Sequence, residues 1–169
     1  MDIFYGAAIQ GAKNRGEFAY VHRTLIDQIK AAHRVLSEHT TGKTKEESAA
    51  LMEQAIGPLP LPGIERTIYV RRKMIQLIDA RETRAAVFEL SIPSTGTGIE
   101  IAHAYLRPER GLPEIPILGL YQQGYWPNGL TTMVRGITQE ELPNMHVKEY
   151  ATLDDAVSAL AAFLTALKS

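Results

Sequence analysis

The chain has 169 residues, with 18 Lys and Arg against 19 Asp and Glu, a formal net charge of −1, 45% apolar residues and no cysteine. Both signs are interspersed, which leaves no basic field for a phosphate polymer or an anionic membrane, so neither nucleic acid nor membrane is an expected partner. The lack of cysteine removes disulfides, thiolate nucleophiles, iron–sulfur clusters and cysteine zinc sites, and fits a cytoplasmic protein that handles a small molecule.

No apolar run reaches the roughly 18 residues of a membrane span, and Asp2 directly after Met1 is not the start of a signal peptide. Residues 3–8 form a short apolar run suited to a strand buried on both faces. Residues 16–32 follow with Phe18, Val21, Leu25, Ile29 and Ala32 at helical spacing. Residues 34–37 read as a second strand, carried only by Val35 and Leu36. Residues 44–56 are helix-like and stop at the Pro-Gly segment 57–63, which is expected to lie against the body or against a second subunit.

A long helix is predicted over 64–83, bearing the basic run Arg71, Arg72 and Lys73, most simply a solvated face. A buried strand at 85–90, a helix at 98–106 ended by Pro108, and an all-apolar strand at 115–121 come next. A short helical piece near 130–134, a strand at 146–150 and a closing helix at 153–167 complete the pattern. Regular alternation of this kind predicts one α/β domain over 1–169. The expected architecture is a flavodoxin- or Rossmann-like three-layer fold, with a five-stranded parallel sheet in order 2-1-3-4-5 and helices on both faces. Ligands of such sheets bind beyond the carboxyl ends of the strands where strand order reverses, here after the first and third strands.

After the third strand stand Ser91-Ile92-Pro93-Ser94-Thr95-Gly96-Thr97-Gly98-Ile99-Glu100. Its glycines let a ligand approach the backbone, the hydroxyls of Ser94, Thr95 and Thr97 can donate, and a helix N-terminus favours an anion. Glu100 is the carboxylate placed to attack an anomeric carbon or to stabilise an oxocarbenium-like transition state. A structural reading stays open beside this one: Thr97 and Glu100 also fit a capping box. After the first strand, the turn containing Gln10, Gly11, Lys13 and Arg15 offers further anion contacts, or is simply a solvated turn. Thr41-Gly42-Lys43-Thr44 lacks the earlier glycine of a phosphate-binding loop, with Ser37 in its place, and is rejected as a triphosphate site. The five histidines show no zinc-protease spacing, and there is no GxSxG, so neither a metal nor a serine triad is expected. Glu38 and His39 could form a site pair or a structural one, and Tyr121, Tyr125 and Trp126 could stack on a base or close an interface.

Four segments in order carry a resemblance: IFYGAAIQG (3–11), SEHT (37–40), ELSIPSTGTGIEIAHA (89–104) and LTTMVRG (130–136). Together they resemble the nucleoside 2-deoxyribosyltransferase family, and most closely its branch of 2'-deoxynucleoside 5'-phosphate N-hydrolases. The resemblance implies that Glu100 is the catalytic glutamate. It places Ser94, Gly96 and Gly98 on phosphate- and sugar-binding positions, and Ile9, Gln10 and Gly11 on a turn whose backbone meets a 5'-phosphate. Thr131 falls on a serine that touches phosphate across a dimer interface, which implies a homodimer with shared sites.

Two departures stand out. The family's first-strand Tyr is Phe4 here, so the catalytic hydroxyl falls to the adjacent Tyr5, which points to the opposite face of a regular strand. The family's Asp in the helix before the third strand is Arg72 or Lys73, with Glu38 or Asp79 as possible replacements. The implied activity is hydrolysis of the base–sugar bond of a nucleoside or deoxynucleoside 5'-monophosphate, with no cofactor. Alternatives are base exchange between deoxynucleosides, or a nucleotide-binding module without turnover.

Overall fold

The computed structural model describes residues 1–8, 15–124 and 131–167. Strands β1 (Asp2–Ala7), β2 (Arg34–Val35), β3 (Thr83–Glu89), β4 (Ile117–Gln122) and β5 (Met145–Tyr150) form one parallel sheet in the order β2-β1-β3-β4-β5. Helices α1 (Arg15–Lys30), α2 (Lys45–Ile56), α3 (Ile64–Asp79), α4 (Thr95–Tyr105), α5 (Thr132–Arg135) and α6 (Leu153–Ala166) connect and cover them. The predicted α/β architecture and strand order are those observed. Among the described residues no helix is long and apolar enough to cross a membrane.

Pleating sends alternate strand residues to two separate cores. Ile3, Tyr5, Val87, Leu118 and Leu120 face α1 and α6, where Leu25, Ile26, Ile29, Leu160 and Leu164 meet them. Phe4, Ala86, Phe88 and Ile117 face the other way, against Ile56 of α2, Met74 and Ile78 of α3 and Ile101 of α4. Each fully buried Leu or Ile contributes about 1.5–3 kcal/mol, so both helical layers are firmly attached.

Several boundaries moved from their predicted places, for identifiable reasons. The third helix ends at Asp79 rather than 83, because Ala80 turns extended and the Thr83 hydroxyl donates to the Leu77 carbonyl at 2.7 Å. Thr83 then opens β3, two residues before the predicted start. The fourth helix begins at Thr95 rather than 98: Ser94 caps it by accepting from the Thr97 N–H at 3.3 Å. Its first turn carries no large apolar residue, so hydrophobic periodicity could not reveal it. The Pro-Gly segment lies against the body. Gly57, at φ 87°, closes α2 through the Glu53 carbonyl, and the Tyr69 hydroxyl and Arg66 guanidinium hold the carbonyls of Ile56 and Pro60.

Candidate functional site

Strand order reverses between β1 and β3, and the site builds up around their carboxyl ends. Glu100 lies on α4 and hangs over Gly6 of β1. A Cβ at Gly6 would sit 2.7 Å from the Phe88 ring and 2.9 Å from Glu100 Oε2, so only glycine admits the carboxyl there. Because Ser94 is the cap of α4, the capping-box reading of Thr97 and Glu100 is overturned: Glu100 lies in the second turn and, among the described residues, satisfies no backbone donor. Among the described residues its carboxyl accepts no hydrogen bond, and burial pushes its pKa up to about 7. A partly buried acid with no hydrogen-bond partner among the described residues, its pKa raised by burial to about 7, is suited to chemistry.

The first turn of α4 adds the anion-friendly component. Gly96 and Gly98 are exposed and have ordinary helical backbone; a Cβ at Gly98 meets nothing and one at Gly96 meets only Ser94 Oγ, at 3.6 Å. Neither glycine is required by the fold, yet each weakens the helix relative to alanine. Gly96→Ala and Gly98→Ala are therefore expected to raise stability by roughly 0.5–1 kcal/mol each. Should an anionic ligand dock on the N–H groups that open α4, both are also expected to weaken its binding about tenfold, because the added methyl crowds that first turn. Denaturant unfolding and calorimetry check the two signs separately.

On the other face of β1, Tyr5 is fully buried with its hydroxyl 2.9 Å from His22 Nδ1 of α1. The sheet thus separates Tyr5 from Glu100, and the structure does not bring these two predicted catalytic groups together. Burial, with the nearby charges of Glu89 and Tyr150, raises the Tyr5 phenol well above its ordinary value. His39 is buried with Nδ1 against the Ser37 hydroxyl, while Glu38 pairs with Lys30 at 2.9 Å, so Glu38 and His39 are not a pair.

Beside Tyr5, and also buried, is Glu89 at the end of β3. It accepts on Oε1 from Ser91 N at 3.2 Å, from the Tyr150 hydroxyl at 3.0 Å, and from the Ser91 hydroxyl. Burial outweighs these bonds and lifts its pKa from 4.5 to about 7. The folded chain therefore holds this proton more tightly than the unfolded one. The stabilisation is complete below pH 4.5 and is lost as pH rises through about 7, a change of about 3 kcal/mol at 1.36 kcal/mol per pKa unit. His22 and His39, held near 4 by burial, act in the opposite sense: their contribution is present above 6.5 and lost as pH falls through about 4. Between pH 6.5 and 8 the carboxyls dominate. Wild-type unfolding midpoints should fall across that interval, and Glu89→Gln should flatten the fall.

The remaining predicted residues are more dispersed. Thr131 is exposed and caps the short α5 through Met133 N, at 3.4 Å. Ile9, Gln10 and Gly11, with Tyr125 and Trp126, lie outside the described residues. Arg71 and Arg72 are exposed on α3, and Lys73 lies 5.7 Å from the Tyr69 ring centroid. Asp79 cannot replace the expected acid, because it precedes β3 at the opposite end of the sheet and binds Arg110 at 2.7 Å. Gly42 packs on the start of α2, where a Cβ would come 2.5 Å from Ser48 N, and Thr44 caps that helix. The Thr-Gly-Lys-Thr run is thus a helix start.

Sequence reasoning missed Glu89 and His22 as notable groups. Glu89 is the one acid in the apolar run Ala85-Ala86-Val87-Phe88-Glu89-Leu90, and His22 stands four residues from both Phe18 and Ile26 on the buried stripe of α1. Both signals were available. A cavity of about 490 Å³ lies at the amino ends of the strands between Arg84, Glu114 and Leu167, away from either carboxyl. Among the described residues no group of three or more His, Asp or Glu converges as a metal site would require. Compared with models of known protein families and with curated proteins, the chain matches none.

Proposed function

We propose that the protein is an N-glycosidase acting on a nucleoside or deoxynucleoside 5'-monophosphate. The observation that carries this reading is the Glu100 carboxyl: partly buried, unpartnered among the described residues, and held over Gly6 beside a glycine-rich helix N-terminus at the reversal of strand order. In the proposed reaction the ionised carboxylate attacks C1', the C1'–N bond breaks, and the base leaves with its electron pair and takes up a proton. Water then attacks C1' of the glycosyl ester, returns the carboxylate and gives the sugar 5-phosphate. The N–H groups opening α4 and the Ser94 region suit the phosphate.

The reading includes a homodimer. Leu61 is 86% exposed, Ile64 68% and Met133 84%, and large apolar side chains in such numbers suit a covered surface. A second reading, nucleotide binding without turnover, is favoured by the separation of Tyr5 from Glu100. The test is incubation with a panel of ribo- and deoxyribonucleoside monophosphates and assay of free base. Base release supports the first reading, saturable binding without release supports the second, and a new nucleoside on addition of another base indicates exchange.

A further inference from the structure

Beyond β3 the chain leaves the sheet, and among the described residues the stretch 91–93 makes no backbone-to-backbone hydrogen bond. The turn that presents α4 is held by side chains instead. Ile92 packs on Ala8 and Phe18. Ser91 is gripped twice by Glu89, through its N–H and its hydroxyl, while its Oγ accepts from Gln122 N, at the end of β4, at 2.8 Å. Tyr150, at the end of β5, donates to the same Glu89 oxygen at 3.0 Å. One carboxyl oxygen thus links the ends of β3 and β5 to the turn that leads into Ser94 and Glu100, and the Ser91 hydroxyl ties that turn to the end of β4. Glu89 is 1% exposed, so bulk water offers these donors no ready substitute.

We propose that Glu89 is the positioning residue of this site, fixing residues 91–94, and through them the start of α4 and Glu100, against the ends of β4 and β5. The proposal rests on the glycosidase reading for its kinetic consequences, and on the hydrogen-bond geometry alone for its structural ones. The group required is an acceptor at Oε1 rather than a charge, so an amide with the same shape serves. Loss of the acceptor releases Ser91 and lets α4 shift. A displacement of about 1 Å at a reacting group lowers turnover on the order of a hundredfold.

The test uses Glu89→Ala, Glu89→Gln and Ser91→Ala in the full chain, with amide hydrogen exchange beside kinetics. In Glu89→Ala the hydrogen-bonded amides within 91–99, those of Ser91, Thr97 and Gly98 among them, should exchange at least about tenfold faster, while those of β1 and α6 keep their wild-type rates. For a nucleoside monophosphate kcat should fall about a hundredfold and KM change by less than about threefold. Glu89→Gln should restore both the protection and most of kcat. Ser91→Ala, which leaves the Tyr150 bond in place, should loosen the same segment if Glu89→Ala does not fold. Unchanged exchange at 91–99, a uniform rise across the whole sheet, or failure of the amide to rescue a folded protein would each overturn the proposal. If the wild type releases no base, the glycosidase reading fails by itself and the exchange pattern still decides the role of Glu89.

Discussion

Replacing Glu100 by glutamine or alanine is expected to abolish base release, lowering kcat at least about a thousandfold, while the protein stays folded. The two halves of that expectation have separate causes. In the proposed reaction the carboxylate forms or stabilises a bond at C1', and an amide can do neither. Structurally, Glu100 caps no helix and accepts no hydrogen bond among the described residues, and the space it fills above Gly6 accepts an amide of equal size. Burial has already raised its pKa to about 7, so exchanging it for a neutral group removes an unfavourable ionisation. Glu100→Gln should therefore unfold, at pH 8, at or above the wild-type denaturant midpoint. Since attack requires the ionised form, wild-type kcat/KM should rise with pH through about 7 and level off beyond it. A fall over the same interval would assign Glu100 as an acid instead.

The second large effect is on stability and lies at the other end of the sheet. Arg107 is fully buried. It donates from Nε to the Pro113 carbonyl at 2.9 Å, from both terminal nitrogens to the Ala80 carbonyl at 3.2 Å, and from Nη1 to the Ile78 carbonyl. A single guanidinium thus satisfies carbonyls from the end of α3 and from the segment entering β4. Arg107→Ala removes the donor from the Ile78 and Pro113 carbonyls, leaves the Ala80 carbonyl only its bond from Thr83 N, opens a cavity beside them, and should cost about 3–5 kcal/mol. For a chain of this length that corresponds to a fall of about 10 °C in Tm. Arg107→Lys should recover less than half of the loss, because one ammonium cannot span three separated carbonyls. Thermal and denaturant unfolding measure it, and the site at the carboxyl ends should keep its ligand affinity wherever the variant is folded.

Arg107 also marks where sequence reading stops. Nothing in Tyr105-Leu106-Arg107-Pro108 distinguishes it from an ordinary surface arginine, since the carbonyls it binds come from positions up to 29 residues away. Glu100, by contrast, was legible. A glutamate two residues beyond a pair of spaced glycines, after an apolar strand, stands at the mouth of an α/β crevice by connectivity alone. Its surroundings were not legible: whether it capped a helix or hung free depended on Ser94 taking the cap, a choice made by local geometry. Tyr5 shows the same division, because its residue parity told that it faces away from Phe4, while only packing revealed His22 as its partner.

By itself the sequence determined the alternation of strands and helices, the parallel direction of the sheet, and the segments that follow the carboxyl ends of its strands. These follow from periodicity and connectivity, which are local along the chain. The tertiary structure alone decided which polar groups are desolvated and what they touch: Glu89 clamped to Ser91 and Tyr150, Glu100 placed above Gly6 without a hydrogen-bond partner among the described residues, Arg107 buried among carbonyls. Proton affinity and hydrogen-bond satisfaction depend on atoms that are close in space and distant in sequence, and only the folded chain brings those atoms together.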